Sequence, residues 1–377
     1  MKFLLSLLAL CCVSAGVPAF GAPPVRIGVT TILSGPNADR GQSEQYGVEL
    51  ALNEINKSGG VLGRQMEASY ADNAADPIVG IAAARSLIEQ QHVSVLLGAL
   101  ATPVTKAVMP IANAARIPFV IDISAGQEFV AAAGIGGFEY VFKTNPSESD
   151  IAMATIRWLK SQNVRSVAIV ADDNAFSLAN AHAVEAAAAE LGVTAVATQV
   201  VKSGVTDIDD VIAKLAASAP DRIVTVLTNS SAAFLHAYEQ SGGKIPLSGR
   251  IDFSVAAKTL SPKFLTSHEF EQASGVSVFT PIVPEVATFV RAYQDKYGIA
   301  PTQRAFFAYE ATKLIADAIG RAGSDAPQAI QAALKASAMP SLSGGTFAMD
   351  KNNHSHTAMQ IVGMRSGKLT VLQSLTK

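Results

Sequence analysis

The fold is decided by residues 25–56, which read VRIGVTTILSGPNADRGQSEQYGVELALNEIN. The opening run, Val25 to Ile32, is rich in β-branched side chains and stops at Ser34-Gly35-Pro36, as a strand buried on both faces does. The closing run, Gln45 to Asn56, carries apolar residues at i, i+3 and i+4, the spacing of one helix face. Strand, loop and helix make the first half of a βαβ unit. The second half follows in a helical pattern at Ile78 to Gln90 and short apolar runs at Val93 to Leu97 (VSVLL) and Phe119 to Ile123 (FVIDI). Strands alternating with helices predict a parallel sheet with helices on both faces.

The rhythm restarts further along. Strands are predicted at Val167 to Val170, Ala195 to Val201, Arg222 to Leu227 and Gly275 to Phe279, separated by helices at Ile151 to Gln162, Ser177 to Leu191, Asp207 to Ala217 and Ala232 to Gln240. Beyond Pro281 come two helical patterns, Val286 to Tyr297 and Ala305 to Gly320, then a Gly-Gly segment and a β-like tail at Met359 to Leu372. The fold class is α/β, with two doubly wound parallel-sheet units of similar size. No repeat with a period of about 20–50 residues is present.

The 377-residue length suits two domains, and 49% hydrophobic residues against 16% charged ones exclude general disorder. A net charge of −2 gathers no phosphate backbone, so nucleic acid is excluded as the main partner. Both cysteines, Cys11 and Cys12, lie near the N-terminus, which leaves the body without a disulfide, a thiol nucleophile or a thiolate metal site. Lys2, the apolar run Phe3 to Val13 and the small-residue pattern Ala19-Phe20-Gly21 form a secretory signal peptide over residues 1–21. The apolar run is shorter than the ~20 residues of a membrane span, and Leu10 stands where a lipoprotein signal wants a small residue before Cys11. An exported chain beginning near Ala22 is expected.

Catalytic signatures are missing: no G-x-S-x-G elbow, H-E-x-x-H helix, Walker A loop or strand-linked G-x-G-x-x-G occurs. Gly134 to Gly137 is glycine-rich but opens no helix pattern. His354 and His356, near Asp350, lie two apart in a polar turn, and a metal site needs three or four converging ligands that the sequence does not supply. Neither a metal nor a cofactor is therefore expected. Asp172-Asp173 follows a predicted strand, where α/β proteins place ligand contacts and where paired acids also cap the next helix, the role expected here.

Read in order, Leu33-Ser34-Gly35-Pro36, Gly41, Tyr46 to Asn56 and Gly59-Gly60-Val61-Leu62-Gly63-Arg64 resemble the opening of the branched-chain amino-acid-binding proteins. These are the solute receptors of ABC importers, of periplasmic-binding-fold type I. Tyr70 to Asn73, Gly98 to Thr102, Ile117-Pro118, Asn145-Pro146-Ser147, Asp172 to Phe176 and Phe307 to Ala311 continue the resemblance over essentially the whole body. It implies two lobes joined by three crossovers: residues 25–143 with 281–352 as lobe one, residues 144–280 with 353–377 as lobe two. It further implies a ligand bound in the cleft between them. Open parallel sheets independently favour ligands beyond the carboxyl ends of their strands.

Carried over by position, the family's carboxylate-binding segment matches Ala101-Thr102. Thr102 can donate from its hydroxyl and its amide, and it also reads as the N-cap of a helix opening at Pro103. The following loop matches Ser124-Ala125-Gly126, where the family's threonine is absent and Ser124 is left to supply a hydroxyl. The family aromatic of the second lobe matches Phe176, which reads equally well as core. Arg40 stands where relatives place an aromatic residue facing the ligand, and Arg250 stands near the acid that pairs with an ammonium group. Two arginines at ligand positions favour a ligand richer in carboxylate than in ammonium, since guanidinium matches carboxylate bidentately. Asp252 or Asp122 remains available to an ammonium.

The sequence thus predicts a non-enzymatic, monomeric, periplasmic receptor of an ABC importer. Its ligand is a small carboxylate-bearing solute: a hydrophobic amino acid by family resemblance, or an aromatic or aliphatic carboxylic acid by its own cleft residues. Its macromolecular partner is the membrane permease. A free sensor feeding a regulatory partner and an exported enzyme are the other classes considered, and no nucleophile, base and orienter set supports the last.

Overall fold

The computed structural model describes residues 22–375, so the signal peptide expected at 1–21, with both cysteines, lies outside the described residues. The first sheet holds five parallel strands: β1 (Val25–Thr31), β2 (Met66–Asp72), β3 (Val95–Gly98), β4 (Phe119–Ile121) and β5 (Val141–Lys143) in the order β2-β1-β3-β4-β5. Its crossovers run through α1 (Ala38–Lys57), α2 (Pro77–Glu89), α3 (Thr102–Ala115) and the short α4 (Gln127–Ala132). The chain then enters α5 (Glu148–Ser161) and a second sheet, β6 (Ser166–Asp172), β7 (Thr194–Val201), β8 (Arg222–Val226) and β9 (Leu247–Gly249), also parallel, in the order β7-β6-β8-β9. Here α6 (Ala175–Leu191), α7 (Asp209–Ala217), α8 (Ser231–Gln240) and α9 (Phe253–Thr259) cover the faces, followed by the single turns α10 (Pro262–Leu265) and α11 (His268–Glu271).

After β10 (Gly275–Ser277) the chain returns to the first sheet as α12 (Pro284–Tyr297), α13 (Gln303–Ala322) and α14 (Pro327–Lys335), passes the small hairpin β11 (Met339–Pro340) and β12 (Thr346–Phe347), and ends as β13 (Met359–Arg365) and β14 (Lys368–Leu375) against β10. The predicted single tail is therefore a hairpin. Ser366 and Gly367 both take positive φ, which turns the chain back on itself.

Burial on both faces explains why the central strands read as continuous apolar runs. Alternate residues of one strand serve different cores: Val95 and Leu97 pack with α1, α12 and α13, while Leu96 packs with α2 and α3. The second sheet divides in the same way. Ala168 and Val170 face α7 and α8, and Val167, Ile169 and Ala171 face α5 and α6. Trp158, the chain's one tryptophan, lies half-buried on α5, and its indole N–H donates to Ser274 Oγ at 3.1 Å, which in turn meets Ser248 Oγ of β9 at 3.2 Å.

Within the two parallel sheets, the sequence pattern missed β2, β5 and β9. β2 is an edge strand whose residues after Met66 are mostly half-buried, so no apolar run marks it, and β5 and β9 are each three residues long. In both sheets the strand order reverses beside the central strand, between β1 and β3 and between β6 and β8. Those reversals open a crevice at the strands' carboxyl ends.

Candidate functional site

A cavity of about 510 Å³ lies where the carboxyl ends of the two sheets face each other, a volume suited to a small organic ligand. It is lined by residues that follow β1, β3 and β4 on one side and β6, β8 and β9 on the other. A second hollow, of about 460 Å³, lies in the second lobe alone between α7 and α8, with mainly apolar walls such as Ile212, Ala216 and Ile223. Its polar lining residues are Asp209, Tyr238, Gln240, Ser241 and Lys244, and no residue of the first sheet reaches it.

On the first-lobe side, α1 starts hard against the exit of β1. A Cβ built at Gly41 would lie 1.8 Å from the Ile32 carbonyl oxygen, so only glycine permits this approach, and it places Arg40 in the cavity wall. Gly98 does the same for β3: its φ is +122° and a Cβ there would meet the Thr30 carbonyl oxygen at 2.1 Å. The chain then turns through Leu100 into α3, whose first turn opens on the cavity. Ala101 is the N-cap and Thr102 the first helical residue, which corrects the expectation that Thr102 caps a helix opening at Pro103. Its exposed hydroxyl has no protein partner among the described residues, so it remains available to a ligand.

Ser124 and Ala125 also line the cavity, with the Ser124 hydroxyl and the Ala125 carbonyl already engaged. Ser124 Oγ meets Thr105 Oγ1 at 2.8 Å and donates to the Leu100 carbonyl at 3.0 Å, and the Ala125 carbonyl accepts from Glu148 N at 3.1 Å. Both residues shape the loop. Gly126 is the N-cap of α4 and is not among the lining residues.

On the second-lobe side, Asp172 caps the β8–α8 loop rather than the following helix, which corrects that expectation. Asp172 Oδ2 accepts from Thr228 N, Thr228 Oγ1 and Asn229 N at 2.7–2.9 Å. Burial alone would push this carboxyl up, but the donors from Ser230, Thr228 and Asn229 hold it below the usual carboxylate range. Asn174, not either aspartate, caps α6. Phe176 is 39% exposed at the cavity wall, and the Arg250 guanidinium lies over its ring with 5.1 Å between Cζ and the centroid. Arg250 also makes a long 3.4 Å bond to Asn180 Oδ1. Asp252 stands outside the lining: its carboxylate caps α9, accepting from Ser254 N and Val255 N.

Arg304 was not anticipated. It lies in the first turn of α13, half-buried in the cavity wall, and burial and then the neighbouring Arg40 pull its pKa down. A cation in a helix's first turn opposes the helix dipole. Arg40 and Arg304 both occupy such positions, in α1 and α13, and this misplacement was the readable signal. Burial likewise lowers Arg250, offset in part by Glu148.

The cavity lining thus carries three arginines and neither aspartate nor glutamate. None of the three makes a salt bridge among the described residues. Asp122, considered for an ammonium group, is fully buried outside the lining, and burial pushes its carboxyl up to about 7. Glu44, buried beside it, is raised well above the carboxylate range by burial and by Asp122, and its Oε2 accepts from Thr31 Oγ1 at 2.5 Å.

Two facing α/β lobes with a ligand-sized cavity between their strand ends have counterparts among known proteins. A family model described as periplasmic binding protein matches residues 24–368. The chain belongs to the periplasmic binding protein family.

Among curated relatives of this binding protein is Leu/Ile/Val-binding protein homolog 7 of Brucella suis biovar 1 (strain 1330). It is 24% identical over 391 residues, covering 98% of this chain and 96% of the relative. A solved branched-chain amino acid transporter substrate binding protein from Streptococcus pneumoniae, in complex with isoleucine, is 21% identical with a TM-score of 0.74, covering 94% of this chain and 100% of that one. A solute binding protein of an ABC transporter from R. palustris, in complex with benzoate, is 17% identical with a TM-score of 0.72 and covers 94% and 98%. The binding protein therefore has the type I periplasmic binding fold expected from its sequence. Its family consists of substrate-binding proteins rather than enzymes, and among the described residues no helix is long and apolar enough to cross a membrane.

Proposed function

We propose that this protein is the periplasmic receptor of an ABC importer for a small organic anion: an aromatic or aliphatic carboxylic acid that lacks an ammonium group. The observation that carries this reading is the cavity lining, with three guanidiniums and no carboxylate. A carboxylate gains charge-assisted hydrogen bonds worth about 1.5–3 kcal/mol each. The ammonium of an α-amino acid finds only dipoles, beside arginines that repel it.

In this reading Arg40 and Arg304 hold the anion from the first lobe, helped by the Thr102 hydroxyl and the N-terminal turn of α3. Arg250, stacked on Phe176, approaches from the second. Phe176 and Phe307 supply apolar walls for the ligand's body. Residues 25–143 with 281–352 and residues 144–280 with 353–377 act as the two lobes, which close on the ligand about the three crossovers. Closure removes water and strengthens the ion pairs. The monomeric receptor, freed of residues 1–21, presents its closed form to the permease.

Thermal shift of ligand-stripped protein across benzoate, aliphatic and keto acids, dicarboxylates and neutral amino acids tests this. A true ligand at 100 times its dissociation constant adds about 2.7 kcal/mol of stability. Shifts from carboxylic acids and none from leucine are expected. Stabilisation by zwitterions alone overturns the anion reading, and turnover of any compound overturns the receptor reading.

A further inference from the structure

The polar turn that carries His354 and His356 gains in space the third ligand that the sequence does not place near it. Asp150, in the first turn of α5, stands between the two rings: His354 Nε2 lies 3.4 Å from its Oδ2 and His356 Nδ1 lies 3.3 Å from its Oδ1. One ligand atom from each of the three residues falls within 4.8 Å of the others. From these positions we propose that Asp150, His354 and His356 form a binding site for a divalent transition ion, Zn²⁺ by the chemistry of its donors.

Three features favour a metal over a simple imidazole–carboxylate contact. His354 Nε2 and His356 Nδ1 approach different oxygens of Asp150, at 3.4 and 3.3 Å, longer than a good charge-assisted hydrogen bond, so the two rings flank a carboxylate whose oxygens can both turn toward one ion. His356 Nε2, the ring nitrogen facing away from Asp150, contacts Asp350 Oδ2 at 3.1 Å, the outer carboxylate that orients a metal-bound histidine and fixes its tautomer. The backbone holds the set in place before any ion arrives. Ser147 and Asp150 form a capping box, the Asp350 carboxylate accepts from Asn352 N and His354 N, and the turn pairs with β5 through Lys143 N to the Asn353 carbonyl and Ser355 N to the Lys143 carbonyl. His354 is buried while Asp150 and His356 keep about a fifth of their side-chain surface, so the fourth position opens to water on the His356 side.

The competing cation is Lys143. Its buried Nζ donates to the Asn145 carbonyl and Oδ1 at 2.7 and 2.5 Å, and it faces Asp150, Glu148, Asp122 and Glu128 electrostatically. The Asn145 carbonyl also meets His354 Nε2 at 3.2 Å, so an ion ligated by that nitrogen displaces this hydrogen bond. Asp150 lies just past the first crossing between the sheets and the histidines lie on the last, so a bound ion would staple two of the connecting strands together.

The test is titration of chelator-stripped, tag-free protein with ZnCl₂ by calorimetry, and with Co²⁺ by the visible bands of its tetrahedral complexes. One saturable site per chain and a raised melting temperature are expected. His356→Ala and Asp150→Asn should abolish both signals, Asp350→Asn should weaken binding ~10–100-fold, and His182→Ala, at a surface His–Glu pair, should change nothing. No saturable binding, or binding that survives both His356→Ala and Asp150→Asn, overturns the proposal. Should those two variants fail to fold, the Asp350→Asn weakening and the Co²⁺ spectrum of the wild type decide it. The site adjoins the anion cavity through Asn145 and Ile151, but none of Asp150, His354 and His356 lines that cavity, so either proposal can fail while the other stands.

Discussion

Replacing Arg304 by glutamine separates ligand binding from folding, because the two should move in opposite directions. In the empty protein Arg304 is half-buried, has no salt bridge among the described residues, and is opposed by Arg40 more strongly than either Asp39 or Glu44 supports it. Glutamine removes that repulsion and the cost of keeping a guanidinium charged away from water. The melting temperature of the empty protein should therefore hold or rise. In the complex the same change deletes a charge-assisted hydrogen bond to the ligand, costing about 1.5–3 kcal/mol, which weakens Kd ~10–150-fold. Calorimetric titration with the best carboxylic acid from the panel, at low and high salt, reads the effect. Salt at 1 M shortens the Debye length to about 3 Å, so the wild type should lose affinity more steeply with salt than the variant. A variant that binds as tightly as wild type, or one that loses affinity and stability together, would refute the assignment of Arg304 to the anion.

Arg250→Gln should weaken the same acid by a similar factor, and a double variant with Arg304→Gln tests whether the two lobes are coupled through the ligand; because both arginines share that partner, non-additive losses in calorimetry are expected. Asp122 binds its proton up to about pH 7 when folded but only to about 3.8 in the unfolded chain, so it favours folding below that lower value and loses this contribution as pH rises through 7. Asp122→Asn should thus stabilise the protein at pH 8 and not at pH 4, by a few °C in melts across pH; a uniform shift would contradict the buried-acid argument. Leu97→Ala, fully buried in β3, should cost about 2–5 kcal/mol in denaturant melts. Gly98→Ala must displace the Thr30 carbonyl and should lose both stability and ligand affinity, since the cavity loop at Leu100 to Thr102 begins there.

Periodicity found the doubly wound plan because the central strands are buried on both faces, which leaves uninterrupted apolar runs at β1, β3, β6 and β8. Edge strands were less legible: most of β2 is only half-buried, and its pattern blends with loop. At the site, position along the chain was enough to bring Arg40, Thr102, Phe176 and Arg250 to one cavity. It could not tell which polar groups were already engaged. Ser124 looked like a ligand hydroxyl until its bonds to Thr105 and Leu100 were visible, and Asp252 looked like an ammonium partner until it proved to cap α9. Arg304 was missed for another reason. It precedes the Phe307 to Ala311 motif by a few residues, and only its wrong sign at a helix start marked it. Asp150 and His356, more than two hundred residues apart, meet only because the first and last crossings run side by side.

Trp158 has a practical consequence. Its indole is bonded to Ser274, which touches Ser248, two residues before Arg250 on the chain, while the first sheet carries no tryptophan at all. The protein's intrinsic fluorescence is accordingly a reporter for one half of the molecule. Emission should follow the assembly of α5 on β9 and β10, whereas circular dichroism sums both sheets. Any gap between the two denaturation curves would measure how far the halves melt separately, without a label having to be attached.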